Sequence, residues 1–177
     1  MNFKCLASIL ISVLLLSCNK ESLIEGYNNT PDGFQETGII YAKVDGNQFT
    51  SDKTTTRATI KYENGAQVIV ISGSNKEKEI DIILENFMGI GTYSFSQENY
   101  GIYDAYFFEK IDNSIKNYTS PYINGGISGE LKVTSYEKGL ISGKFNFKAK
   151  EYIINYDFIE NYKTISSGTF KDIPVSQ

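Results

Sequence analysis

In Ile141-Ser142-Gly143-Lys144-Phe145-Asn146-Phe147-Lys148-Ala149-Lys150 the apolar residues Ile141, Phe145, Phe147 and Ala149 share one parity. Ser142, Lys144, Asn146, Lys148 and Lys150 take the other. A period of two fits an extended strand with one dry face and one wet face. Arg57 to Tyr62 repeats the pattern, with Ala58, Ile60 and Tyr62 expected to face inward. Glu79 to Glu85 does the same, with Ile80, Ile82 and Leu84 inward. Val68-Ile69-Val70-Ile71 is apolar on both sides, which suits a more central strand.

Short turn signals separate these runs. Asn64-Gly65 lies between two of them, and Asn-Gly suits the positive φ angles of a tight hairpin. Asp45-Gly46 joins Tyr41–Val44 to Gln48–Thr50, and Glu137-Lys138-Gly139 leads into the strand that starts at Ile141. Three hairpins and no convincing amphipathic helix predict an all-β domain. The expected form is a single antiparallel β-sandwich or small barrel built from hairpins. Glu151–Tyr162 reads as a strand or a short helix. Ile-Ser-Gly recurs at Ile71, Ile127 and Ile141, and Ile165-Ser166-Ser167-Gly168 is close to it. The spacing is irregular, so these are read as glycine-led strand starts and not as repeats.

The N-terminal region has a different character. An apolar run from Cys5 to Leu16 follows Lys4 and ends in Leu15-Leu16-Ser17-Cys18. The run is too short for a spanning helix, which needs ~20 residues, and fits the apolar part of a signal peptide. The junction resembles the bacterial lipobox, in which the cysteine is acylated and the chain is cut before it. Residues 1–17 are therefore expected to be a signal peptide. Residues 18–37 form a lipidated Cys18 and a polar tether, and residues 38–177 the β-domain. A flexible tether of this length reaches about 20–25 Å. Acyl chains on Cys18 attach the protein to a membrane, each buried CH₂ contributing ~0.8 kcal/mol. Asn19-Lys20-Glu21-Ser22 resembles a surface-export signal of some envelope lipoproteins. The expected location is the bacterial cell envelope, at the outer membrane, with its periplasmic side and its outer surface both open.

Composition narrows the chemistry. The chain has no His, and its only cysteines are Cys5 in the signal and Cys18 at the acylation site. The mature domain therefore lacks a disulfide, a Cys-type metal site and any Ser-His or Cys-His nucleophile pair. No cofactor is expected. Loss of residues 1–17 takes one Lys with it and moves the formal charge from −4 to −5. An acidic chain without a basic block is a poor partner for nucleic acid or for anionic lipid.

Several segments together resemble a family of small bacterial lipoproteins whose β-domain has no assigned function. They are Ala42-Lys43-Val44-Asp45-Gly46-Asn47-Gln48-Phe49, Gly91-Thr92-Tyr93, Ile141 to Ala149, and Gly168-Thr169-Phe170-Lys171-Asp172-Ile173-Pro174. They are hairpin turns and strand starts, so the resemblance implies an envelope-anchored β-domain and brings no catalytic or binding residues.

Three candidate sites follow from the residues. The stretch from Gln97 to Gly126 interleaves Tyr with Asn, Ser and Gly, a composition suited to adaptable recognition of a glycan or protein ligand. Its candidate contacts are Tyr100, Tyr103, Tyr118 and Tyr122. The bland alternative is that Tyr103 to Glu109 is a core strand. Glu79 and Asp81 share the outward face of one strand and could serve a glycan-acting hydrolase; otherwise they form a solvated face beside Lys76 and Lys78. A barrel with an apolar interior could carry a lipid, although Phe145, Phe147 and Tyr93 are large enough to fill it. The reading that results is an envelope-anchored lipoprotein with a non-catalytic binding or scaffolding domain.

Overall fold

A computed structural model describes residues 36–99, 101–120, 126–153 and 159–177. Eleven strands follow in order: β1 (Ile40–Val44), β2 (Asn47–Thr50), β3 (Arg57–Glu63), β4 (Ala66–Ser74), β5 (Lys78–Leu84), β6 (Gly91–Ser96), β7 (Tyr103–Ile111), β8 (Ser114–Thr119), β9 (Ile127–Glu137), β10 (Leu140–Tyr152) and β11 (Ile159–Ser176). A short 3-10 turn covers Gln97–Asn99.

The strands form one mixed sheet in the order β2-β1-β11-β3-β4-β5-β7-β8-β10-β9-β6, and β10 also pairs with β11. The expectation of a purely antiparallel sheet is corrected at one point. β11 pairs in parallel with β3 through Val175–Ala58 and Ser176–Thr59. The cause is length: β11 has 18 residues, runs past β1 and meets β3 beyond it. Pairing can be followed from β11 through β3, β4, β5, β7, β8 and β10 back to β11.

The three expected hairpins are present. Asp45-Gly46, Asn64-Gly65 and Lys138-Gly139 all have φ between +49° and +83°. Two successive positive φ angles match the right-handed twist of the flanking strands. Ile141, Phe145, Phe147 and Ala149 are buried, as are Ile80, Ile82 and Leu84. Tyr62 is not: it is 73% exposed, because it falls two residues before the Asn64 turn, where the hairpin extends past the core. The stretch Glu151–Tyr162 contributes the end of β10 and the start of β11, with residues 154–158 outside the described part. Most of the Tyr-rich stretch is also regular, since β7 and β8 pair from Tyr106–Thr119 to Ile111–Ser114 around a turn with Asp112 at φ 54°.

Buried side chains from β1, β2, β3, β4, β5, β6, β7, β8, β9, β10 and β11 form a single hydrophobic cluster. It extends from Ile40 to Ile173 in sequence. The β1–β2 hairpin approaches β4 at Gly73, where an added Cβ would lie 2.8 Å from Ile40 Cδ1.

Candidate functional site

Along five strands the core-facing series ends in a polar or charged residue. On β5, Lys78 precedes Ile80, Ile82 and Leu84; on β7, Glu109 follows Ala105 and Phe107. On β10, Glu151 follows Phe147 and Ala149. Lys116 precedes Tyr118 on β8, and Asn161 and Lys163 precede Ile165 on β11. Side-chain alternation puts each on the core side of its strand, and the register brings them together. Lys78 faces Glu109, Glu109 faces Lys116, Glu151 faces Tyr118 and Ala149 faces Lys163.

The result is an ion network over one end of the core. Lys163 Nζ lies 3.0 Å from Glu109 Oε2 and 3.3 Å from Asp45 Oδ2, the latter contributed by the β1–β2 turn. Lys78 Nζ is 3.7 Å from Glu109 Oε1. Lys116 Nζ is 3.2 Å from Glu151 Oε1. Asn161 Nδ2 donates to Glu151 Oε2 at 2.5 Å and contacts the Tyr118 hydroxyl at 3.4 Å. Three lysines oppose Asp45, Glu109 and Glu151, so the charges balance. Burial pulls the Lys163 ammonium down, but its bonds to Glu109 and Asp45 outweigh that and hold it above the usual lysine range. Burial, helped by the Glu151 charge, pushes the Tyr118 phenol up. The network links β5, β7, β8, β10, β11 and the β1–β2 turn at one end of the core.

Tyr118 is thus a core residue. Its ring is 1% exposed, packs 5.8 Å from Phe107 and has Lys163 Nζ 5.7 Å from its centroid. This corrects its assignment as a surface contact: its parity on β8 points it inward opposite Phe107. Tyr103 is half-buried and packs edge-on against Tyr93, centroids 5.3 Å apart. Tyr100 and Tyr122 lie outside the described residues, as does Cys18. The sheet therefore does not bring the described pair, Tyr103 and Tyr118, onto one exposed surface.

Glu79 and Asp81 do share the outer face of β5, but not as a solvated pair. Both accept from the buried Ser72 hydroxyl, Asp81 Oδ1 at 2.5 Å and Glu79 Oε1 at 3.3 Å. Lys78 points to the opposite side, toward Glu109. Burial raises the Asp81 carboxyl above its usual range, against the Ser72 bond that lowers it. Asp104, diagonal to Asp81 on β7, is also buried and raised by burial, although Gly101 N–H and the Tyr106 hydroxyl bond to it. Sequence reasoning missed Asp104 and the ion network. The signal for the network was present: Glu151 and Lys78 carry the inward parity of Ala149 and Ile80.

Among the described residues, no three His, Cys, Asp or Glu side chains gather as metal ligands. No described helix is long and apolar enough to cross a membrane. The interior positions hold packed rings, including Phe95 against Phe147 at 6.0 Å and Phe145 against Phe170 at 6.4 Å.

Residues 36–174 match the family described as Domain of unknown function (DUF6252). No curated protein and no solved structure matches the chain. The match covers most of the sequence and nearly all of the β-sheet, and the chain belongs to the DUF6252 family.

Proposed function

We propose that the protein is a lipoprotein of the bacterial outer membrane, held by acyl chains on Cys18, whose β-domain acts as a non-catalytic binding or scaffolding module. The observation that carries this reading is Leu15-Leu16-Ser17-Cys18 at the end of a short apolar run, 18 residues before the start of the family match at residue 36. The small-barrel form of the domain is supported by β11, which pairs with both β10 and β3. In this reading Tyr100, Tyr103 and Tyr122 supply ligand contacts, while Tyr118 serves the core. Mass spectrometry of the native protein tests the anchor. The expected result is a chain that begins at an acylated Cys18; an intact Met1 or an unmodified Cys18 thiol overturns it. Tyr100→Ala/Tyr122→Ala on a glycan and peptide array tests the contacts, with loss of the wild-type signals expected.

A second reading is favoured by one observation. Glu79 and Asp81 reach the same Ser72 hydroxyl, and Asp81 is held toward its neutral form. Two neighbouring carboxyl groups in unlike environments are the pairing that a retaining glycosidase uses. If the domain cleaves glycan, Asp81→Asn abolishes release of new reducing ends.

A further inference from the structure

The ion network holds a second arrangement within it. Lys116, Glu151 and Asn161 lie on three neighbouring strands, β8, β10 and β11. Lys116 Nζ is 3.2 Å from Glu151 Oε1 and 3.4 Å from Oε2. Asn161 Nδ2 donates to that same Oε2 at 2.5 Å. One carboxylate, its side chain 7% exposed, therefore touches both a primary amine and a side-chain carboxamide. Tyr118 closes the site on the core side: its ring is buried, and its hydroxyl is 3.4 Å from Asn161 Nδ2. The other lysine beside Tyr118, Lys163, is engaged by Glu109 and Asp45.

Regular alternation alone does not bring these groups together. Between Lys150–Tyr162 and Glu151–Ile159 the register of β10 and β11 slips, and Asn161 lies in that slip. An irregularity of this kind re-aims a side chain. A charge pair needs only Lys116 and Glu151. The carboxamide adds what an ion pair does not use: an acyl carbon near an amine, with a carboxylate placed to move protons between the two nitrogens.

We propose that Lys116 and Asn161 join in an intramolecular amide (isopeptide) bond, with Glu151 as the catalytic acid and base. Lys116 passes one proton to Glu151, which leaves a neutral amine. At a carboxylate shielded from water, that transfer replaces two charges by two neutral groups and costs less than in solution. The Nζ lone pair attacks Asn161 Cγ, and the Nζ–Cγ bond forms. As the Cγ–Nδ2 bond breaks, Glu151 delivers its proton to Nδ2, which departs as ammonia, and takes a second proton from Nζ. Of the ammonium protons, one stays on the new amide, one leaves with the ammonia and one remains on Glu151. Charge is conserved, and no oxidant or reductant is needed. Proximity supplies the rate, since the amine and the carboxamide are both held on the group that carries the proton. The Lys116 side chain is 37% exposed, which gives the ammonia a way out. The product ties β8 to β11 across β10, and it depends neither on the lipid anchor nor on a ligand.

Tryptic peptide mapping of the full chain by mass spectrometry tests the bond. Trypsin does not cut after an acylated lysine. The expected species is therefore Ile111–Lys132 joined to Glu151–Lys163, lighter than the two peptides together by one ammonia, ~17 Da. Lys116→Arg keeps the charge but not the nucleophile, and Glu151→Gln keeps the shape but cannot carry the proton. Both variants, shown to be folded by thermal unfolding, should give separate peptides of full mass. Separate Ile111–Lys116 and Glu151–Lys163 peptides of full mass from the wild type overturn the proposal. So does an ammonia loss confined to Glu151–Lys163 and kept in Lys116→Arg, which marks a succinimide at Asn161. A joined peptide in folded Glu151→Gln overturns the role of the carboxylate.

Discussion

Phe145 and Gly168 stand directly opposite one another on β10 and β11, and the phenyl ring fills the space where a side chain at 168 would begin. Two residues along, the roles are exchanged: Gly143 faces Phe170. The two rings lie 6.4 Å apart and tilted. Each aromatic covers a glycine on the neighbouring strand, which lets two long strands approach while their rings stay in the core.

Gly168→Ala should therefore destabilise the domain. Its Cβ would lie 2.5 Å from Phe145 Cδ2, and overpacking of this kind costs about 1–3 kcal/mol. Urea unfolding measures the loss. Phe145→Leu should also destabilise, but the double variant should lose less than the two single losses combined, because the smaller side chain leaves room for the methyl group. Simple additivity would show that the ring and the glycine do not share that space.

The strands were legible because alternation is strict wherever one face is dry and the other wet. Ile80, Ile82 and Leu84 needed nothing beyond the period of two. The hairpins were legible because Asn-Gly and Asp-Gly tolerate positive φ. The role of the Ile-Ser-Gly recurrences was not. Gly73, Gly129 and Gly143 each abut a neighbour that a Cβ would strike: Ile40 for the first, the Asn146–Phe147 backbone for the second and Phe170 for the third. Those contacts depend on register between distant strands, which local spacing does not encode. The same limit hid the ion network, since Lys163 and Glu109 are 54 positions apart and meet only when β11 and β7 cap the same end of the core. Tyr118 was misassigned because composition cannot tell an inward Tyr from an outward one.

The Asn64-Gly65 turn gives a second test. Gly65 has φ +82° with open space around it, so only backbone conformation resists a side chain there. Gly65→Val should cost on the order of 1 kcal/mol or more, because a β-branched residue resists positive φ. Gly65→Asn should cost less, since Asn enters the left-handed region more readily. Equal losses in thermal unfolding would mean that bulk, not φ, sets the cost.

Asp81 should leave a signature in the pH dependence of stability. Its carboxyl is raised in the folded state, so below the ordinary aspartate range both states are protonated and the group costs nothing. As pH rises through that range, the unfolded chain releases its proton while the folded chain keeps it. Stability therefore falls until the folded carboxyl ionises, and then levels off. Asp81→Asn removes this pH dependence. The stability of wild type relative to the variant should decline from acid toward neutral pH and then become flat. Asp104 is raised in the same direction and is common to both proteins, so it cancels in the difference. A difference that rises with pH would mean that Ser72 stabilises the Asp81 carboxylate more than burial penalises it.

Lys163 is the hub of the ion network, and its removal should be more damaging than removal of its partner with it. Among the described residues, Lys163→Met leaves Glu109, whose side chain is 15% exposed, with the 3.7 Å ion pair to Lys78. Breaking a buried pair from one side costs about 3–5 kcal/mol; residual solvent access at both groups lowers the expectation to about 1–2 kcal/mol. Lys163→Met/Glu109→Met should recover most of the loss, since the charges that then lose a partner, Asp45 and Lys78, are more open to solvent than Glu109, and the long apolar side chains can extend the core. The ammonium is held above the usual lysine range, so its contribution is complete at neutral pH. It should disappear only as pH rises through the folded value, at the alkaline end. Unfolding free energies of wild type, both single variants and the double variant, measured at neutral and alkaline pH, complete the cycle. A double variant as unstable as Lys163→Met alone would show that Lys163 stabilises the fold through Asp45 or its own packing, and not through Glu109.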